Sequence, residues 1–486
     1  MKLWKNGVIH TLTNQSEISN ILTDQGLIVG LNVDEKEPYD EVIDLKGYHL
    51  YPGFVDAHLH LIGYGQFLNR LYLTHTQDKN LVLNLLKKQN IFELLIVDGY
   101  HEYVGVTKYD LDTINNQNPM ILRHHDFHAV TVNTVVLKQL NKESSTGILR
   151  EEDAQAVIRH YAKVSNETLE SYLETAIKSL YRFGITGGHS DDLFYFNGYQ
   201  DTLQAFINVQ KRIPFRTHLL VHHEVLDDYI ASPYFNHYSD FLELKGIKVF
   251  YDGTMSSKTA LMWHGYQNET SNGLRTTPNF IEIVQKVRQF GLTLAIHVIG
   301  DQGLDELIDI LKKYPPKENQ KDRIIHAPWV SEYGMNALKS MPVTIDIQPQ
   351  FLSSDFPEAT TIFKQFPPYV FPWKTMLKNG LTLSFSSDAP VETPNPLLGI
   401  LDATERVAKD GKIYQPEERI SRMDTIKGYT IYANAQNNLQ NRGTIEIGQV
   451  ADFSIFTFDL ETIESSRLKE PLVEMTVINE HIVYQK

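Results

Sequence analysis

YPGFVDAHLHLIGYG, residues 51–65, opens with a Pro-Gly corner, runs through an apolar segment and ends on two histidines separated by one residue. Strand side chains alternate faces, so His58 and His60 point to one side, and Ala57 and Leu59 to the other. Two neutral imidazoles about 7 Å apart along a strand can converge on one metal ion. H-x-H alone is short and fits a pair of satisfied core histidines equally well. The rest of the chain has to decide.

The same pattern recurs downstream. After the helix signature ETLESYLETAIKSLYRFG (residues 167–184, apolar residues at helical spacing and a terminal Gly) come ITGGHSD, FRTHLLVHHE, GIKVFYDG, LTLAIHVIGD, RIIHAPWV, PVTIDIQPQ and LTLSFSSDAP. With residues 54–57 these are eight short apolar strands, most separated by helical segments. Alternating β and α units with near-continuous apolar strands imply a parallel sheet, and eight of them a closed (β/α)8 TIM barrel of the α/β class. Residues 1–50 read instead as short strands with turns at Lys5-Asn6-Gly7 and Asp24-Gln25-Gly26. The C-terminal segments RGTIEIGQVADFSIFTFDL and VEMTVINEHIVYQK return to β character. The expected organisation is a composite β-sandwich domain from residues 1–50 and 440–486, and a barrel over 51–439 with a large insertion at 62–165 after its first strand.

In such a barrel the chemistry belongs at the C-terminal ends of the strands. The first strand ends in His58 and His60, the fourth carries Lys248, the fifth ends in His297, the sixth in His326 and the eighth in Asp388. Singly, each has a bland explanation as a turn residue or a structural histidine. Together they place metal-capable side chains at one end of one barrel. Imidazole and carboxylate ligands suit one or two zinc ions, with other divalent metals as alternatives. An ammonium repels a cation, so Lys248 fits the set only as a neutral amine or as a CO2-derived carbamate, an anionic ligand able to bridge two metals. Asp388 is the natural group to take the proton of a metal-activated water and pass it to a leaving nitrogen.

Composition narrows the alternatives. The chain has 486 residues, 42% hydrophobic and 22% charged, as globular proteins do. A formal net charge of −15 and no Lys/Arg run argue against nucleic-acid binding. Without cysteine, disulfides, thiolate ligands and a cysteine nucleophile are excluded. No uncharged apolar run is long enough to span a bilayer, and the first residues carry no signal-peptide pattern. A cytoplasmic enzyme acting on a small molecule, with no membrane partner, is the expectation; a homo-oligomer is left open.

The motifs carry a resemblance as well. PGFVDAHLHL, GIKVFYDGTMSSKTALM, LAIHVIGD, RIIHA, SSDAPV and GTIEIGQVADFSIF are together similar to the amidohydrolase superfamily, and most of all to amidohydrolase family 3, the N-substituted formamide deformylase (YtcJ-like) type. The resemblance spans nearly the whole chain. It implies that Lys248 stands in the place of the family's often-carbamylated lysine and Asp388 in that of its catalytic aspartate. NPMILRHHDFHAVTVNTVVL, in the insertion, resembles a segment that covers the active site, with His128 the matching histidine. Lys258 stands where the family commonly has Arg, and His189 where an acidic residue is more usual.

The expected reaction is hydrolysis of an amide-type, N-substituted C–N bond by a metal-activated hydroxide, with Asp388 as proton shuttle. Superfamily deaminases usually place Glu a few residues after the fifth-strand histidine, whereas this chain has Asp301 four residues after His297. Deamination, cyclic-amide hydrolysis and ester hydrolysis on the same site are the alternatives. A metal-free scaffold would be expected to have lost ligands, and none is missing. Candidate substrate-binding residues are His128, His189, His222, Lys258 and Gln348.

Overall fold

A computed structural model of the chain describes every residue except 15, 16, 37, 74, 75, 90, 92, 93, 125–128, 162 and 437–440. Eight strands form one sheet: β1 (Phe54–Leu59), β2 (Ile185–Ser190), β3 (Arg216–His222), β4 (Leu242–Phe250), β5 (Leu294–Val298), β6 (Asp322–His326), β7 (Val343–Ile347) and β8 (Leu383–Phe385). Neighbours follow chain order and every pairing is parallel. The strands are buried almost throughout, which explains why they read as continuous apolar runs. Where β8 meets β1, Asp388 N donates to His58 O at 2.8 Å and His60 N to Ala389 O at 2.8 Å. Ser387 N donates to the Asp56 carboxylate at 3.1 Å. The seam that closes the barrel therefore runs through the residues of greatest chemical interest.

The connecting helices follow from their periodicity. Phe280–Gln289 buries Phe280, Ile283, Val284 and Val287, and Asp301–Lys313 buries Leu304, Leu307, Ile308 and Leu311. These are single stripes at i, i+3, i+4 and i+7. The helix expected over 167–184 spans Asn166–Tyr181, and Gly184 turns into β2 at φ +77°, where a Cβ would be strained.

The two chain ends meet in one sheet. Val8–Ile9, His49–Pro52, Phe453–Phe456, Val473–Ile478 and His481–Gln485 lie in that order. A second sheet orders Leu27–Leu31, Asn20–Asp24, Lys2–Lys5 and Glu41–Asp44. Trp4, Ile21, Ile28 and Leu50 share one buried cluster with Phe453, Ile455 and Val477, so residues from both ends build this sandwich core. The His49–Pro52 strand runs on through Gly53 into β1, and Phe54 N donates to Ser454 Oγ at 2.9 Å.

The chain divides into two compact units, one of Met1–Tyr64, Glu170–Phe194 and Gly198–Lys486, the other of Gly65–Leu169 and Tyr195–Asn197. The second unit holds a four-stranded sheet in the order Ile148–Arg150, Ala129–Val132, Met120–His124 and Leu95–Tyr100. It has apolar clusters of its own, around Val82, Leu86 and Val97 and around Ile121, Val130 and Val157. Its strands mix parallel and antiparallel pairing, so no simple alternation marks them in the sequence. Within it, Tyr100 is buried and its hydroxyl accepts from Val106 N at 2.7 Å, whereas Tyr103 is 66% exposed.

Candidate metal centre

His58 lies inside β1, and His60 sits just past the strand's end, before the helix Leu61–Asn69. Their rings are 5.5 Å apart, closer than two positions along a straight strand. Both reach one carboxylate: Asp388 Oδ1 is 3.4 Å from His58 Nε2 and 3.3 Å from His60 Nε2. Lys248, wholly buried on β4, places Nζ 3.0 Å from His58 Nε2. The His326 ring lies 5.9 Å from that of His58 and 4.7 Å from that of His297. Ligand atoms of His58, His326 and Asp388 all fall within 4.8 Å of one another.

Surrounding hydrogen bonds select which nitrogen each imidazole offers. His60 Nδ1–H donates to Asp191 O at 3.0 Å, leaving Nε2 towards Asp388. His326 Nδ1–H donates to Gln348 Oε1 at 2.6 Å. Gln348 is fixed the right way round because its amide donates to Ser386 Oγ at 2.8 Å and Asp346 O at 3.2 Å. His297 Nε2–H donates to Gly253 O at 3.2 Å, so Nδ1 is its acceptor nitrogen. Partners of this kind fix tautomer and orientation at metal sites. His326 and Asp388 also have φ of +80° and +57°. Non-glycine residues seldom adopt this region, and such strain clusters at functional sites.

Burial and the neighbouring carboxylates set the electrostatics of the group. Burial holds the His58, His297 and His326 imidazoles below their ordinary value, His326 at about 4. Burial also lowers Lys248, opposed by Asp191 and Asp388. At His60 burial is outweighed by the Asp388 hydrogen bond and nearby carboxylates, which push it up to about 9. Burial would raise Asp388, but His60, His326 and Lys248 hold it below the usual carboxylate range. His58 Nε2 thus sits between an amine and a carboxylate, while its buried Nδ1 has no hydrogen-bond partner among the described residues. The donor set, imidazole nitrogens around one carboxylate, fits a divalent cation.

Six residues singled out in the sequence, His58, His60, Lys248, His297, His326 and Asp388, come together here, and Gln348 stands behind His326. His222 ends β3 in register with Lys248, its ring 4.6 Å from Phe194 and 5.8 Å from Phe250; burial holds it at about 3. His189 is not brought to this group. The β2–β3 register sets it opposite His218, 4.8 Å away ring to ring, in a cleft with Arg216 and Leu242, which begin β3 and β4. Lys258 pairs with Glu269 at 2.8 Å in a half-exposed loop. His128 lies outside the described residues.

Sequence reasoning passed over Asp191 and Asp192. Both are fully buried just past β2; Asp191 Oδ2 lies 3.9 Å from Lys248 Nζ, and Asp192 accepts from Ile62 N at 2.9 Å and Ser190 Oγ at 2.6 Å. Two consecutive acids after a strand were the available signal. Asp252, two residues past β4, accepts from the backbone N–H groups of Leu261, Ile299 and Gly300 at 2.8–2.9 Å and organises loops.

Comparison with known proteins agrees with this geometry. Residues 41–484 match the amidohydrolase family. The chain is 31% identical to the YtcJ protein of Bacillus subtilis (strain 168), over 100% of this chain and 99% of that protein. It is 22% identical to the N-substituted formamide deformylase of Arthrobacter pascens, over 92% and 91% of the two chains. Among solved structures, an uncharacterized metal-dependent hydrolase from Pyrococcus horikoshii OT3 superposes with a TM-score of 0.85 at 24% identity, covering 96% of this chain and 99% of that one. The chain therefore belongs to the amidohydrolase family and is a hydrolase acting on carbon–nitrogen bonds other than peptide bonds.

Proposed function

We propose that the protein is a metal-dependent amidohydrolase that cleaves the C–N bond of an N-substituted amide. The observation that carries this reading is the Asp388 carboxylate, 3.3–3.4 Å from the Nε2 atoms of both His60 and His58 at the closing seam of the barrel. His58, His60, His297, His326 and Asp388 would hold one or two divalent ions, zinc by donor preference, with Lys248 joining them as its carbamate. When bound, such an ion makes water acidic enough to ionise near neutral pH and polarises a carbonyl.

The protein's own residues supply the rest. Asp388, its side chain 12% exposed and 3.3–3.4 Å from two imidazole nitrogens, is the group to accept a proton from the attacking water and return it to the departing nitrogen. Gln348 and the Asp191 carbonyl hold His326 and His60 in orientation. Phe250, 5.1 Å from the His297 ring, and Phe351, 5.7 Å from that of His326, border the site with apolar rings, and lower local polarity strengthens charge interactions. Asp301, which follows the fifth-strand histidine, is engaged by Trp263 N at 3.0 Å and Gln302 N at 2.9 Å. This favours release of an organic amine over ring deamination. The formamide deformylase relative points the same way.

Elemental analysis of protein purified without added metal, beside the Lys248→Ala variant, is the first test. One or two equivalents of zinc, falling in the variant, support the reading, and N-acyl and N-formyl amines are then the substrates to screen. No metal, and none taken up with zinc and bicarbonate supplied, would sink it. Ammonia instead of an amine among the products would replace it with deamination.

A further inference from the structure

A second group of metal-capable side chains lies in the sheet built from the two chain ends. His10 follows the strand Val8–Ile9, His49 begins the neighbouring strand, and Asp459 follows Phe453–Phe456. Ligand atoms of the three fall within 4.8 Å of one another. His10 Nε2 and His49 Nδ1 are 3.0 Å apart, a separation two ligands of one ion can share. The His10 ring lies flat on Tyr51, 4.0 Å between centroids and 2° between planes, so its direction is set beforehand. The Tyr51 hydroxyl donates to Asp459 Oδ1 at 2.9 Å, and Thr462 Oγ1 donates to Oδ2 at 3.0 Å, which aim the carboxylate. All three residues are half-buried, so an ion held by them can keep water in its remaining positions.

We infer that His10, His49 and Asp459 form a second divalent-cation site, independent of the barrel centre, which clasps the N-terminal strands to the C-terminal segment. Two imidazoles and one carboxylate select a borderline transition ion such as Zn²⁺ or Co²⁺ over Mg²⁺ or Ca²⁺, which prefer all-oxygen shells. The three ligands come from segments as much as 449 positions apart in a chain of 486 residues. An ion bound there ties both ends of the chain into the sheet that leads into β1, and stabilises the folded state by linkage.

The test is zinc stoichiometry on full-length protein stripped with chelator and dialysed against Zn²⁺, for the wild type, His10→Asn, Asp459→Asn and Asp388→Asn. The expected result is one equivalent fewer in His10→Asn and in Asp459→Asn than in the wild type, with hydrolytic activity retained. In Asp388→Asn the clasp equivalent should persist and show Co²⁺ absorption that disappears when His10→Asn is added. Zn²⁺ should raise the Tm of the wild type more than that of either clasp variant. Equal stoichiometry in the wild type and both clasp variants would overturn the inference, whatever the barrel site holds. Should His10→Asn fail to fold, Asp459→Asn and the Co²⁺ spectrum still decide it.

Discussion

Two His–His–Asp groups stand out among the described residues, and they differ in burial. His58, His326 and Asp388 are buried at the ends of barrel strands, whereas His10, His49 and Asp459 are half-buried on the sheet built from the two chain ends. The buried group has an amine at 3.0 Å and sits among further charged groups, Asp191, Asp192 and Arg323. The outer group has a tyrosine. Desolvation makes each charge in the first group costly and each attraction strong, which suits stabilising a charge that develops during a reaction. Solvent screens the second group, which suits holding an ion and little else. The same donor types thus do different work according to how much water surrounds them.

The sharpest way to break that comparison is to remove the same charge from each group. Asp388→Asn should lower kcat on an N-substituted amide by about 10²–10⁴-fold, the usual worth of a proton-transfer group. Asp459→Asn should leave kcat unchanged. Equal losses in steady-state assays would mean that the two carboxylates do not differ in kind.

Burial should also make charges deeper in the barrel costly to uncouple. Arg323 donates to Asp346 at 2.6 Å and to the Ala57 carbonyl at 2.6 Å, with both side chains buried. Arg323→Met leaves Asp346 uncompensated and should destabilise by about 3–5 kcal/mol. The double variant Arg323→Met/Asp346→Leu should recover much of that in denaturant titrations. A double variant as unstable as the single one would show that the cost is lost packing.

A smaller effect is expected one bond behind the centre. Gln348→Ala removes the acceptor for His326 Nδ1 and should cost about 10–100-fold in metal affinity or activity. Gln348→Glu, which keeps the acceptor, should recover part of the loss. No change in metal affinity or kcat in Gln348→Ala would remove Gln348 from a positioning role.

These residues also mark what the sequence could and could not disclose. The barrel was legible because buried parallel strands must be apolar, and each therefore stands out between helical stripes. Five of the six converging site residues were legible because each closes an apolar run near its C-terminal end, and Lys248 because it interrupts one. Asp191 and Asp192 broke a run in the same way, but they sit beside His189, which drew the attention. The β2–β3 register sets His189 opposite His218, and alternation along one strand cannot reveal which residue of the next strand it will face. The insertion's sheet stayed hidden because short strands of mixed direction have no periodic signature. The outer histidine pair was invisible for a plainer reason: His10 and His49 become neighbours only when two short strands pair in parallel.

Burial beside a like charge has a different signature, in pH. Burial, reinforced by Glu392, pushes Asp355 and Asp402 up to about 7, both within helices that follow β7 and β8. An unfolded carboxyl ionises near 4, so between about pH 4 and 7 the folded state holds more protons. Their contribution to stability is therefore greatest in acid and declines as pH rises through that window. Asp355→Asn should gain on the wild type in Tm as pH goes from 5 to 8. A Tm difference independent of pH would show that Asp355 ionises normally.

The smallest effect should come from Lys258. Its partner Glu269 is 2.8 Å away, but the side chains are 36% and 44% exposed. Exposed pairs of this kind are worth about 0–1 kcal/mol, because salt and water screen the attraction while two long side chains lose freedom. Lys258→Ala should shift the Tm by no more than that, and 0.5 M salt should abolish the difference. The same variant bears on substrate binding. If Lys258 is only a surface ion pair, KM stays at the wild-type value. A severalfold rise in KM with kcat intact would instead make it a uniform-binding contact for substrate, and would mean that the 2.8 Å pair with Glu269 opens when substrate enters.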